Sequence, residues 1–152
     1  MNNIVAFYDR GVALAAGRTV EGVALLLLRV ALAGVFWRSG QTKVVAGSFL
    51  QIDPSQYDLF ASEFSGLPLD PVIAVPLTTC AEHLFPILLL VGLATRLSAG
   101  ALLVMTLVIQ FFVFPDAWWP VHSLWVAMAA ILIVRGGGLF SLDAIAARLR
   151  RK

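Results

Sequence analysis

At 152 residues, with 60% hydrophobic and 13% charged residues and a net charge of +2, the chain is too apolar for an ordinary soluble domain, where apolar usage is ~45–50%. The single cysteine, Cys80, excludes an intrachain disulfide and a two-thiol exchange cycle, and no nucleic-acid partner is expected. The composition therefore predicts one membrane domain over residues 1–152: an all-α, membrane four-helix bundle spanning the lipid bilayer at approximately 23–45, 72–93, 97–114 and 118–134.

In chain order, Asn2 to Gly17 is too short and too polar to span. It is expected to form an interfacial helix, with a disordered tail as the alternative, and no cleavable signal peptide is expected. The first span carries Arg29, Arg38 and Lys43. At 100° per residue, Arg29, Ala33, Phe36, Gly40 and Lys43 share one face and Arg38 lies opposite Arg29. The loop that follows contains Asp53, Asp58, Glu63 and Asp70 and no basic residue. Within it, Asp53-Pro54-Ser55-Gln56 reads as a helix start, and Tyr57, Phe60, Ala61 and Phe64 form an apolar stripe. A short amphipathic helix results, either a lid over the bundle's mouth or a plain cover for apolar side chains.

The second span holds Thr78-Thr79-Cys80-Ala81-Glu82-His83 near its middle. Ionisable groups at that depth are costly and point to function. The third span is polar only at Ser98, Thr106 and Gln110; the fourth carries Trp118, Trp119 and Trp125 near one interface. After Gly136-Gly137-Gly138, Ser141 is placed as an N-cap, Leu142, Ile145, Ala146 and Leu149 share a face, and Arg148, Arg150, Arg151 and Lys152 end the chain. That pattern predicts a helix lying on an anionic surface. The basic residues outside the spans all fall on one side, so both termini and their interfacial helices are expected to be cytoplasmic.

Depth along ideal helices predicts the charge pairing. Glu82 lies ~16 Å and Arg29 ~9 Å from the cytoplasmic side, which makes Glu82–Arg29 the expected pair, with Asp143 as a second partner for Arg29. Lys43, ~12 Å above Glu82, is expected to be out of its reach, and His83 to have no partner. Pro86 removes the helical bond to the Glu82 carbonyl, so a kink is expected beside the carboxyl. Nearer the outer surface, Lys43, Gln41, Gln110 and His122 form a second polar cluster able to meet a headgroup or a quinone carbonyl, with Trp37, Phe111, Trp119 and Trp125 as aromatic walls. The alternative is that His122 and Lys43 are simply interfacial. A haem between His83 and His122 is not expected, because their depths differ by ~10 Å; no metal site is expected, and Cys80 reads as a small packing residue.

Several of these stretches resemble the DoxX family of small four-helix membrane proteins: Leu28-Arg29, Ser39-Gly40-Gln41-Thr42-Lys43, Glu82, Gly92-Leu93-Ala94-Thr95-Arg96 and Gly138-Leu139-Phe140-Ser141-Leu142-Asp143. The resemblance covers about Leu25 to Ala144. It implies a bacterial inner-membrane protein related to the quinone-reducing subunit of thiosulfate:quinone oxidoreductase. Other members are implicated in thiol and oxidative-stress complexes or accompany enzymes that modify metal-binding peptides. The chain is most similar to that last branch through Phe36-Trp37-Arg38, Glu82-His83-Leu84-Phe85-Pro86 and Trp119-Pro120-Val121-His122.

The expected function is a quinone-linked redox subunit, with Glu82 carrying a proton, Arg29 holding its charge, and Lys43, Gln110, His122 and His83 near the quinone. No haem, flavin or iron-sulfur motif is present, so electrons must come from a quinone or from partner proteins encoded nearby. The alternative is a non-catalytic anchor, assembly factor or small-solute transport bundle. Arg38 and the small residues Gly34, Ala127 and Ala130 leave room for a homodimer.

Overall fold

The computed structural model describes residues 2–150. The C-terminal Arg151 and Lys152 of the predicted basic end lie outside that range. The helices are α1 (Asn2–Ala15), α2 (Arg18–Gln41), α3 (Ser55–Ser62), α4 (Pro71–Val91), α5 (Thr95–Phe112), α6 (Ser123–Arg135) and α7 (Leu142–Leu149). A 3-10 turn, Pro115–Ala117, and a π turn, Trp118–His122, lead into α6. Four helical stretches are long and apolar enough to cross a membrane: Arg18–Gln41, Pro71–Val91, Thr95–Phe112 and Pro115–Arg135.

These four pack as an up-down bundle in which α2 lies on α4 and α6, and α5 on α4 and α6. Leu25, Leu32, Ala33, Phe36, Leu89, Ala99, Leu102, Ala129 and Leu132 are buried at its centre. The outer surface is apolar too, with Val30, Ile73, Leu84, Leu97, Val104, Leu124 and Val134 all exposed. An apolar core inside an apolar coat is what a lipid solvent requires. The predicted α2 face is the buried one: Arg29, Ala33, Phe36, Gly40 and Lys43 all point inward, and Arg38 is exposed.

Local chemistry sets the ends of α4. Asp70 caps the helix by accepting from the Val72 amide at 2.8 Å, with Pro71 in the first turn. At the other end Gly92 is left-handed (φ 70°), and the amide of Leu93 returns to the Leu88 carbonyl. A Cβ at Gly92 would run into the Arg29 guanidinium and Ser141, so glycine is required there twice over.

The loop between α2 and α4 folds over the bundle. Asp53 Oδ1 accepts from the backbone amide (2.9 Å) and hydroxyl (2.8 Å) of Ser55, and those bonds hold its carboxyl below the ordinary carboxylate range. Helix α3 starts there and buries Phe60 against Ala74 and Val75 of α4, with Tyr57 and Phe64 packed alongside. Ala61, expected on the same stripe, is exposed.

Candidate functional site

The central charge is Glu82, 2% exposed on α4. Its partner is Lys43, whose Nζ donates to Oε2 at 2.7 Å, while the hydroxyl of Ser39 donates to Oε1 at 3.0 Å. The expected Glu82–Arg29 pair is therefore not formed, and Lys43, expected to be out of reach, takes its place. Two features explain the difference. First, α2 sits about two turns further toward the basic end than its apolar run indicates: Gly22 meets Leu139 and Phe140, Arg29 meets Gly92, and Gly40 faces Glu82 and His83. The rise from Arg29 to Gly40 is ~16 Å, so Arg29 lies far below the carboxylate. Second, α2 ends at Gln41, and the Lys43 side chain folds back along it, with Nζ 3.2 Å from Ser39 Oγ.

Arg29 instead donates from Nη2 to the Phe140 carbonyl at 2.7 Å and is fully buried. Asp143, the second partner foreseen for it, is close enough to act on it by charge. Asp143 also accepts from the amides of Ala94 (2.8 Å) and Thr95 (2.9 Å), capping α5 from a distant part of the chain. Burial alone would raise its pKa, but those amides, the Thr95 side chain and the Arg29 charge outweigh burial and hold it below the ordinary value. The same contact secures Ala94 in a left-handed conformation (φ 49°) that an L-residue rarely adopts.

His83, expected to stand alone, has two partners. Its Nδ1 lies 2.7 Å from the Thr79 carbonyl and must donate to it, which leaves Nε2 to accept from the Gln41 amide at 3.0 Å. The ring is packed edge-on by Trp37 and Phe49. Gln41 is thus drawn away from the outer cluster in which it was expected. His122 does meet Gln110, with Nδ1 2.7 Å from Oε1. Because the Gln110 NH2 donates to the Pro115 carbonyl at 2.6 Å, Oε1 faces the imidazole and Nδ1 carries the proton. The π turn delivers this histidine: Pro120 offers no amide, Ser123 reaches back five residues to the Trp118 carbonyl, and His122 turns inward, 3% exposed.

Lys43, Ser39, Glu82 and His122 line a single cavity of about 340 Å³. Its aromatic wall is Phe36, Phe60, Phe64, Phe114 and Trp125. Of the aromatic residues expected there only Trp125 takes part; Phe111 and Trp119 are exposed, and Trp37 serves His83. Phe60 of α3 and Phe64 just beyond it cover the end of the cavity away from the basic residues. Leu77 of α4 and Val104 of α5 also line it and are themselves exposed, so it opens sideways between these helices toward lipid. Ser39 was visible in the sequence only as part of a motif. Its role had no separate signal, because its hydroxyl meets Glu82 Oε1 only through the offset of α2 against α4. Cys80, expected to be a packing residue, is exposed on the lipid side of α4.

A bundle of four spanning helices with a charged pair against an internal cavity defines a multi-pass membrane protein with a lipid-accessible polar site. Residues 24–115 match the DoxX family, and the chain belongs to it. An uncharacterized protein of Haemophilus influenzae is 32% identical over 133 residues, covering 82% of this chain and 84% of its own length. No solved structure matches the chain.

Proposed function

We propose that the protein is a quinone-linked redox subunit of the bacterial inner membrane, with cytoplasmic termini, that works with partner proteins in thiol, sulfur or metal-peptide metabolism. The observation that carries this reading is the Lys43–Glu82 ion pair in the wall of an otherwise apolar, aromatic cavity shared with His122. A few convergent polar groups in an apolar pocket of ~300–1,000 Å³ are typical of sites for small ligands. The side opening at Leu77 and Val104 suits a ligand with a long apolar tail. Arg18, Arg96, Arg135, Arg148 and Arg150 gather at the opposite end of the bundle, which supports placing that end on the cytoplasmic side.

Bound in the cavity, a quinone supplies a two-electron, two-proton couple, its electrons exchanged with a redox partner. The chain's own groups then have distinct parts. Lys43 presents ammonium protons toward a ligand oxygen, and Glu82 holds or yields a proton as Lys43 shifts between it and the ligand. His122 offers a bare Nε2 because Gln110 fixes the proton on Nδ1. His83 lies on the α2-facing side of α4 and stays outside the lining.

The test is binding of ubiquinone to the purified protein in lipid nanodiscs, followed by quenching of Trp125 fluorescence. Long-tailed ubiquinone should quench the wild type, and Lys43→Met and His122→Phe should each weaken binding at least tenfold. Absence of quenching, and of quinone co-purifying with the wild type, would overturn the proposal. Val104→Trp sharpens it further: narrowing the side opening should weaken long-tailed quinone more than a tailless analogue.

A further inference from the structure

The basic end of the bundle carries a second concavity, separate from the cavity above. A cleft of about 250 Å³ lies between α7, the first turns of α2 and the end of α6, with Arg18, Arg135 and Arg148 in its wall. An adjoining hollow of about 500 Å³ shares Arg135, Gly138 and Ala144 with it and adds Arg96 and Thr95. Four arginines thus line the groove formed by the two hollows, Arg18 and Arg148 within the same cleft. The acids beside them are already occupied. Glu21 is bound by Arg135, and both oxygens of Asp143 accept backbone amides. Arg18 and Arg148 form no ion pair with any described residue.

Unspent hydrogen-bond donors lie in the same place. The amides of Gly137 and Gly138 donate to no described residue. Free backbone amides in a glycine turn and two unpaired arginines together match the needs of a phosphate oxyanion. The surroundings indicate its source. Leu142, Ile145 and Leu149 of α7 are exposed on the side turned away from the groove, as for a helix resting in a bilayer surface. The groove's floor, Leu25 and Leu139, is apolar.

We propose that this groove binds the phosphodiester headgroup of an anionic phospholipid. The ligand's phosphate engages Arg18 and Arg148, which line the same cleft, and its glycerol and upper chains lie over Leu25 and Leu139. The site fastens α7 to the bundle through lipid and owes nothing to the quinone reading.

Native mass spectrometry and thermal unfolding of the full chain test this, with phosphatidylglycerol compared with phosphatidylcholine in mixed micelles. The wild type should retain phosphatidylglycerol preferentially and melt higher in its presence. Arg18→Gln/Arg148→Gln should reduce that preference about tenfold, and Arg148→Gln alone, at an exposed position of α7, about threefold. Equal retention of both lipids by the wild type, or undiminished preference in a double variant that elutes as the wild type does, would overturn the proposal. Millimolar inorganic phosphate is the second arm. If phosphate alone gives the full thermal shift and displaces the lipid's effect, the groove serves a soluble phosphate and the lipid assignment fails.

Discussion

Arg29 and Lys43 are two buried cations, Arg29 within α2 and Lys43 just past its end at Gln41. Their surroundings differ in kind. Lys43 faces a carboxylate across the edge of an open cavity. Arg29 is closed in by the Phe140 carbonyl, Gly92 and Ser141, with Nε and Nη1 unpartnered among the described residues. A charge beside open volume can change partners when a ligand enters; a charge sealed among backbone atoms cannot. The comparison separates a pair suited to chemistry from a cation that fastens the C-terminal segment to the bundle.

The largest test of that contrast acts on the pair. Glu82→Leu leaves the Lys43 cation without its counter-ion and should cost ~3–5 kcal/mol of stability, whereas Glu82→Leu/Lys43→Met should recover most of it. If the pair is there for chemistry, the double variant is folded and abundant in membranes but does not bind quinone; quinone binding that survives in it would reduce the pair to a device of register. Next in size is Gly92→Ala at the Arg29 end. It forces an L-residue to φ 70° and a methyl into the guanidinium, and should cost ~2–3 kcal/mol by chemical denaturation while leaving quinone affinity unchanged. A matching loss of affinity would show that the two ends are coupled.

The smallest effect belongs to Asp143→Asn, ~0.5–2 kcal/mol, the scale of a helix cap. Because the folded pKa of Asp143 is depressed, its contribution is complete above the unfolded value of ~3.9 and is lost as pH falls through the lower folded value. Wild-type stability should therefore fall over that acid range relative to neutral pH, and the Asn variant should lack that part of the decline. A variant with an unchanged acid limb would remove Asp143 from the account.

Much of the architecture was legible in the chain itself. Apolar run length located the four spans, with boundaries shifted by up to five residues, and the 100° phase of α2 identified its buried face. Charge pairing was not legible, for a definite reason. Depth counted from where the apolar run begins misplaces every level on α2, because Gly22 packs against Leu139 and Phe140 and Arg29 stands at Gly92, the end of α4. His122 with Gln110 survived because both lie on neighbouring segments joined by a short turn, which leaves little register to misjudge. His83 with Gln41, and Lys43 with Glu82, depend on the α2–α4 offset and could not be recovered from helix geometry alone.

The π turn at Trp118–His122 places one residue more in its loop of hydrogen bonding than an α-helix would. Removing a single residue there, Val121 for example, would restore an ordinary helical ladder, but would rotate everything on its N-terminal side by about 100° relative to α6. Insertion or deletion, and not exchange of one side chain for another, is thus the change to which this wall of the cavity is most sensitive. Length at this point sets which direction the tryptophan-rich stretch faces, and relatives that differ by one residue there should present a different wall to whatever occupies the space.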